Sequence, residues 1–303
     1  MRSYITNTGR FLPALLSAAV IFAGIAFAGL PKPAEPPYKI DLKRLHPIPI
    51  KWETLAQGFE RTVFNFEGEG SAFDGSVVKR FKRLVEFVVF RVDTNKYPLR
   101  VVTAQSAIGK NVASLKSVHE KTGALLTVNG GFFSIEGDPI GLVISEGKPV
   151  SGYNEEGPSG ALAVYDGVPK IGWARKIAGA KPMPDYALQN GPLLVDPGGK
   201  FGINVIAAHY FYRTIVALDK KGRLLIGVTK KKHLYKDIEE GINLYEAAVI
   251  FYHPPEAGGL DADAALNLDG GTSTGMLFNM GEHRDKIFIS VDVPNFVCIM
   301  PPE

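Results

Sequence analysis

The sequence predicts an α+β fold: strand-rich, with mixed or antiparallel sheets, a few helices, and two related halves around a central cleft. Three observations carry this. Short runs of β-branched and aromatic residues recur between turn-forming residues. Two segments of helical period each stand just before a strand that ends in a polar residue and a Gly-Gly pair. Glycine, at 33 residues, exceeds the ~7% usual in globular chains and clusters at turns rather than in a low-complexity tract.

Arg2 and Arg10 precede the apolar stretch "FLPALLSAAVIFAGIAFAGL", residues 11–30, and "PKPAEPP" follows it. A basic start, an apolar core and the small-residue pattern Ala26-Phe27-Ala28 predict a secretory signal cut before Gly29. The same stretch is long enough to remain as a membrane anchor, a tether through residues 11–30. Either outcome exports the rest of the chain to a periplasmic or extracellular place. The domain reading is 1–28 signal or anchor, 29–54 an extended proline-rich linker, and 55–303 the folded domain.

Within that domain Leu84–Val92, "LVEFVVFRV", reads as a buried strand, Asp93-Thr94-Asn95 as a turn, and Leu99–Thr103 as the returning strand. Val112, Leu115 and Val118 recur at helical spacing, with Gly123 suited to the C-terminal cap. Ala124–Val128 then form a strand that runs into Asn129-Gly130-Gly131. Three hairpins follow, turning at Glu146-Gly147, at Asp166-Gly167 and at Asp219 to Gly222. A second helix carries Tyr245, Ala248, Val249 and Tyr252 and stops at Pro254-Pro255. Leu266–Asp269 form the strand that enters the second Gly-Gly turn, and Lys286–Val293 a late strand.

The formal charge of +3 includes Arg2 and Arg10, so the exported part is nearly neutral. No nucleic-acid partner is expected. The basic runs "VKRFKR" and "KKKH" lack interleaved aromatics and read as solvated faces. Cys298 is the sole cysteine, which excludes an intrachain disulfide and a cysteine-based zinc site; it reads as a small buried apolar residue. There is no HExxH pattern, P-loop or GxSxG elbow, so no cofactor and no metal ligand set is assigned. Oligomeric state is not legible.

The chemistry concentrates in "ALNLDGGTSTGM" and "VNGGFFS". Asp269 ends a buried strand, where a carboxylate loses hydration and requires hydrogen-bond partners. Gly270 and Gly271 admit unusual backbone angles and close approach of a ligand. Thr272 and Ser273 offer hydroxyls and amide donors to sugar or phosphate oxygens. Asn129 has the same placement as Asp269 and both donates and accepts, with Gly130 and Gly131 behind it. Asn190 opens a third polar-Gly entry to a strand. Arg213, at a strand start, is suited to clamp a phosphate or to brace a carboxylate. His209 stands four residues earlier, as an acid, a base or a packing residue. For each, a plain structural role in a turn or core is the alternative.

"TVNGGFFS…GDPIGLVISEGKPV", "NGPLLV", "RTIVALDKKGRLLIGV" and "DAALNLDGGTSTGM" occur in the order seen in the phosphodiester glycosidase domain family, and the resemblance runs from Gln57 to Pro301. After Asp-Gly-Gly that family commonly continues Gly-Ser-Ser. Here Thr272-Ser273-Thr274 keep small hydroxyls on a stiffer turn. The resemblance implies hydrolysis of a sugar-1-phosphate diester, with a glycan or sugar-phosphate of the envelope or extracellular space as substrate. It implies Asp269 at the anomeric centre or its attacking water, Arg213 at the phosphate, and Asn129 with the glycine backbones at sugar or phosphate oxygens. A non-catalytic polysaccharide-binding module and a purely structural envelope protein are the rival readings.

Overall fold

The computed structural model describes residues 50–70, 81–203, 209–231, 241–287 and 291–302. The export segment and most of the linker lie outside the described residues. So do 78–80 and 232–233 of the two basic runs. All the described residues belong to the unit Pro31–Glu303, and no helix among them is long and apolar enough to cross a membrane.

Eighteen strands among these residues form three sheets. The largest runs β1 (Glu53–Ala56), β2 (Phe59–Gly70), β3 (Phe81–Val92), β14 (Leu224–Lys231), β13 (Thr214–Asp219), β15 (Ala262–Asn267), β11 (Leu193–Asp196) and β12 (Lys200–Phe201). The second runs β7 (Lys148–Ser151), β6 (Val143–Ser145), β10 (Tyr186–Asn190), β8 (Gly160–Tyr165) and β9 (Val168–Trp173). The third runs β17 (His283–Ile287), β16 (Met276–Met280), β5 (Leu126–Asn129), β18 (Asn295–Ile299) and β4 (Leu99–Thr103). Every pairing among them is antiparallel.

The period-2 alternation of apolar side chains explains how the sheets pack. Val88, Phe90 and Val92 of β3 face one core with Leu126 and Val128 of β5, Leu162 and Val164 of β8, and Val297 and Ile299 of β18. That core is where all three sheets meet. The alternate residues face outward onto helices. Val85, Phe87 and Val89 pack under the helix Leu244–Tyr252. Phe296 and Cys298 pack under the helices Ala104–Ile108 and Leu115–Thr122. Ala161 and Ala163 pack under Ala174–Ala178. A strand buried on both faces reads as a near-continuous apolar run, which is what "LVEFVVFRV" is.

Local chemistry sets the element ends. Ser114 accepts from the Ser117 amide at 3.1 Å to start one helix, and Gly123, at φ 66°, ends it. Asn243 and Glu246 form a capping box at the start of Leu244–Tyr252. Glu146-Gly147 and Asp166-Gly167 all have positive φ, the geometry of two-residue hairpins.

Three expectations need correction, and one strand had not been read at all. Leu99–Thr103 is a strand, but it pairs with β18 in the third sheet rather than returning beside β3. The last apolar stretch "NFVCI" is β18, central in its sheet. Lys286–Val293 is not one strand: β17 ends at Ile287, residues 288–290 lie outside the described set, and Val293 makes only an isolated bridge. The strand expected at Leu266–Asp269 is shifted: β15 begins at Ala262 and ends at Asn267, two residues before Asp269. The strands that enter the two Gly-Gly turns also belong to different sheets.

Candidate active site

The two Gly-Gly turns meet. The Asp269 amide donates to the Gly130 carbonyl at 3.1 Å, joining the end of the third sheet to the end of the first. Asn129, the last residue of β5 and fully buried, completes the junction. Its Nδ2 donates to the Asp269 carbonyl at 2.8 Å. Its Oδ1 accepts from the Thr214 hydroxyl at 2.6 Å and from the Gly275 amide at 3.2 Å. One side chain therefore ties β5 and β13 to both ends of the Asp-Gly-Gly turn.

Close backbone approach dictates the glycines. A Cβ on Gly130 would stand 2.1 Å from Asn295 Oδ1. The glycine lets the Gly130 amide reach the Asn295 carbonyl at 2.9 Å and the Gly131 amide reach Asn295 Oδ1 at 2.6 Å. A Cβ on Gly270 would stand 2.7 Å from the Tyr212 carbonyl and 3.9 Å from Arg213 Cδ. The Gly271 amide donates to that same Tyr212 carbonyl at 2.8 Å. The Asp269 turn is thus laid against the backbone of Tyr212 and Arg213.

The Asp269 carboxyl is held locally. Oδ1 accepts from the Gly270 amide at 2.8 Å, and the Ser273 hydroxyl donates to the carboxylate. Burial outweighs these bonds and pushes its pKa up to about 6. Arg213 is the other ionisable group. Its amide donates to the Thr229 hydroxyl at 2.6 Å and its Nε to the Ile242 carbonyl at 3.2 Å. The guanidinium carbon stands 5.3 Å over the Phe211 ring. No carboxylate among the described residues lies within ion-pair distance of Arg213. Burial pulls its pKa down to about 10, so it remains a cation at neutral pH.

Asn190 ends β10, fully buried, with Oδ1 accepting from the Gly191 amide at 3.2 Å. Its Nδ2 makes no hydrogen bond among the described residues and would stand 2.9 Å from a Cβ on Gly131. Thr272 is exposed and Ser273 buried, on the single helical turn Gly271–Ser273. His209 is exposed. Its ring lies 6.2 Å from that of Phe211, with no hydrogen bond to Asp269 or Asn129.

Sequence reasoning missed Thr214, Asn267 and Asn295. Asn267 is buried and donates through Nδ2 to the Gly191 and Leu268 carbonyls at 3.0 and 2.7 Å. The signal for each was a polar residue inside or opening an apolar run: Thr214 before "IVAL", Asn267 between leucines, Asn295 before "FVCI". Among the described residues no three His, Cys, Asp or Glu side chains cluster as a metal site would. The depression lined by His119, Glu120, Asn279 and Gly281 shares no residue with this junction.

A carboxylate of raised pKa and, on the segment packed against it, an arginine with no acid partner among the described residues can together receive an anionic ester and assist its hydrolysis. Solved structures share the fold. The catalytic domain of zebrafish N-acetylglucosamine-1-phosphodiester alpha-N-acetylglucosaminidase, auto-inhibited by its pro-peptide, matches with TM-score 0.57 and 16% identity over 84% of this chain and 88% of that one. A hypothetical protein from Synechocystis matches with TM-score 0.51 and 15% identity over 83% of this chain and 64% of its own. A Burkholderia pseudomallei K96243 protein named as a candidate exported protein matches with TM-score 0.50 and 12% identity, covering 72% and 74%. No curated protein sequence matches the chain. The family model for phosphodiester glycosidase matches residues 122–300, more than half of the sequence, and this match spans Asn129, Arg213 and Asp269. The chain belongs to the phosphodiester glycosidase family.

Proposed function

We propose that the protein hydrolyses a sugar-1-phosphate diester at its anomeric carbon, acting outside the cytoplasm on envelope or extracellular glycans. The observation that carries the reading is the backbone junction of Asp269 with Gly130 beside Arg213. It puts an elevated carboxylate and a guanidinium with no acid partner among the described residues on neighbouring segments.

In this reading Arg213 binds the phosphate and neutralises its charge, with no carboxylate among the described residues competing for the guanidinium. Asp269 faces the anomeric centre. As the bond from the anomeric carbon to the phosphate oxygen breaks, positive charge builds at that carbon and is stabilised by the carboxylate. Water adds to the same carbon, and its proton passes to Asp269. The phosphomonoester leaves with the bonding electrons. A phosphate is a good leaving group, so an anion clamp takes the place of a strong general acid. Asn129 is a positioning residue here, since its amide is engaged by Thr214, Gly275 and the Asp269 carbonyl. Thr272 and the Asn190 amide then serve sugar and phosphate oxygens, while the amides of Gly130, Gly131, Gly270 and Gly271 and the Ser273 hydroxyl are taken by Asn295, Tyr212 and Asp269 and hold the two turns in shape. Residues 1–28 act as a signal or anchor, and the linker that follows ends where β1 begins at Glu53 rather than at residue 54.

Hydrolysis of glycosyl phosphodiesters in ¹⁸O-labelled water tests the bond assignment. Label is expected in the anomeric hydroxyl of the released sugar. Label in the phosphate would mean attack at phosphorus and would sink the glycosidase reading. Saturable binding with no release of sugar would favour the polysaccharide-binding module instead.

A further inference from the structure

A row of alternate side chains leads away from the site. Arg213 is partly buried beside Gly270, Phe211 is 41% exposed, and His209 is exposed. The contacts put all three on one side: guanidinium over the Phe211 ring at 5.3 Å, and imidazole 6.2 Å from that ring. Among phenylalanines whose side chains are described, Phe211 alone is exposed. Its backbone is nonetheless fixed. It bridges Ile242, with the Ile242 amide donating to the Phe211 carbonyl at 3.0 Å. A Cβ on Gly241 would stand 1.9 Å from that carbonyl oxygen, so the two segments are in direct backbone contact. An exposed apolar ring on a fixed backbone, next to the Arg213 cation, has the form of a stacking platform.

We infer that Phe211, flanked by His209, is a specificity-determining residue that receives the group esterified to the phosphate on the side away from the sugar being released. This rests on the glycosidase reading for its orientation: Asp269 takes the sugar, Arg213 the phosphate, and the row continues outward to Phe211. The platform fits a pyranose, whose axial C–H face stacks on an aromatic ring, better than a short alkyl group. The exposed His209 stands where a hydroxyl of that pyranose would reach. Arg213 lies against the ring, so phosphate capture and stacking are adjacent and one ligand engages both.

Product-type phosphomonoesters test this without turnover. Calorimetric titration of the protein with inorganic phosphate, ethyl phosphate and glucose 6-phosphate compares anion, alkyl and pyranose. The wild type is expected to bind glucose 6-phosphate roughly three- to tenfold tighter than ethyl phosphate, the range of a single aromatic contact. Phe211→Ala is expected to bring those two within about twofold while leaving inorganic phosphate unchanged, and Phe211→Tyr to retain the preference. Three outcomes overturn the inference: no pyranose preference in the wild type, binding of none of the three, or an equal loss of all three in Phe211→Ala. The last would mean the ring serves only to steady Arg213. Because no hydrolysis is required, failure to turn over diesters would remove the glycosidase reading and leave this comparison to decide the platform.

Discussion

Asp269 is fixed through its backbone and half-released through its side chain, and its carboxyl titrates accordingly. Both peptide groups are bonded, the amide to Gly130 and the carbonyl to Asn129. Among the described residues the carboxyl is bonded by Gly270 and Ser273, and burial raises its pKa from 3.8 to about 6. A carboxyl raised in the folded state binds its proton better there than in the unfolded chain. Its contribution to stability is therefore full below about pH 4 and is lost as pH rises through 6. Activity has the opposite need, because the ionised form does the chemistry. The account predicts that kcat/KM rises through an apparent pKa of about 6 and then levels off, because Arg213 stays a cation above it. A pH–rate profile flat from 5 to 8 would remove Asp269 as the titrating group. The sequence showed that this carboxylate ends an apolar run, but its elevation depends on what packs around it. Thr214, which holds Asn129, and Asn295, which holds Gly130 and Gly131, lie far from those residues along the chain, so their part in the junction was not visible locally.

At the scale of elements, the legible parts were those whose geometry is set within a few residues. The hairpins at Glu146-Gly147 and Asp166-Gly167 were read from two-residue turns, and those turns have the positive φ that such hairpins require. The helix ending at Gly123 was read from the spacing of Val112, Leu115 and Val118 and from its cap; the cap is where it was expected, and the helix starts at Leu115, leaving Val112 outside it. What was not legible was pairing between distant segments. Leu99–Thr103 looked like the partner of the strand before it, because consecutive strands are often neighbours. Its partner is β18, nearly two hundred residues later. β18 itself is five residues long and buried throughout, so it gives no alternation to read. The short helices Ala104–Ile108 and Ala174–Ala178 are too brief for a helical period. The β5–β18 contact also explains why Gly130 must be glycine. Gly130→Ala drives a methyl into Asn295, and overpacking of this kind costs about 1–3 kcal/mol. A lowered urea midpoint is expected, while Gly152→Ala, with no atom within 4 Å of its new methyl, stays near wild type. Equal midpoints for the two variants would contradict the close-packed junction.

On the scale of the whole molecule, three antiparallel sheets share one core and each covers its outer face with helix. The junction of Asn129, Asp269 and Thr214 lies where strand ends of the first and third sheets meet, and β10 of the second sheet brings Asn190 against Gly131. A rigid frame of this kind holds a site without help from flexible loops. The central claim is that this frame carries a hydrolase with Asp269 at the reacting carbon. It is tested most directly by sugar release from glycosyl phosphodiesters, measured for wild type and Asp269→Asn beside their thermal unfolding. The substitution keeps the hydrogen-bonding shape and removes the charge. The account predicts a loss of ~10²–10⁴-fold in turnover, with a melting temperature at pH 7.5 equal to or above that of wild type, since a buried charge has been removed. Near-normal turnover, or a melting temperature lowered in step with the activity, would contradict it.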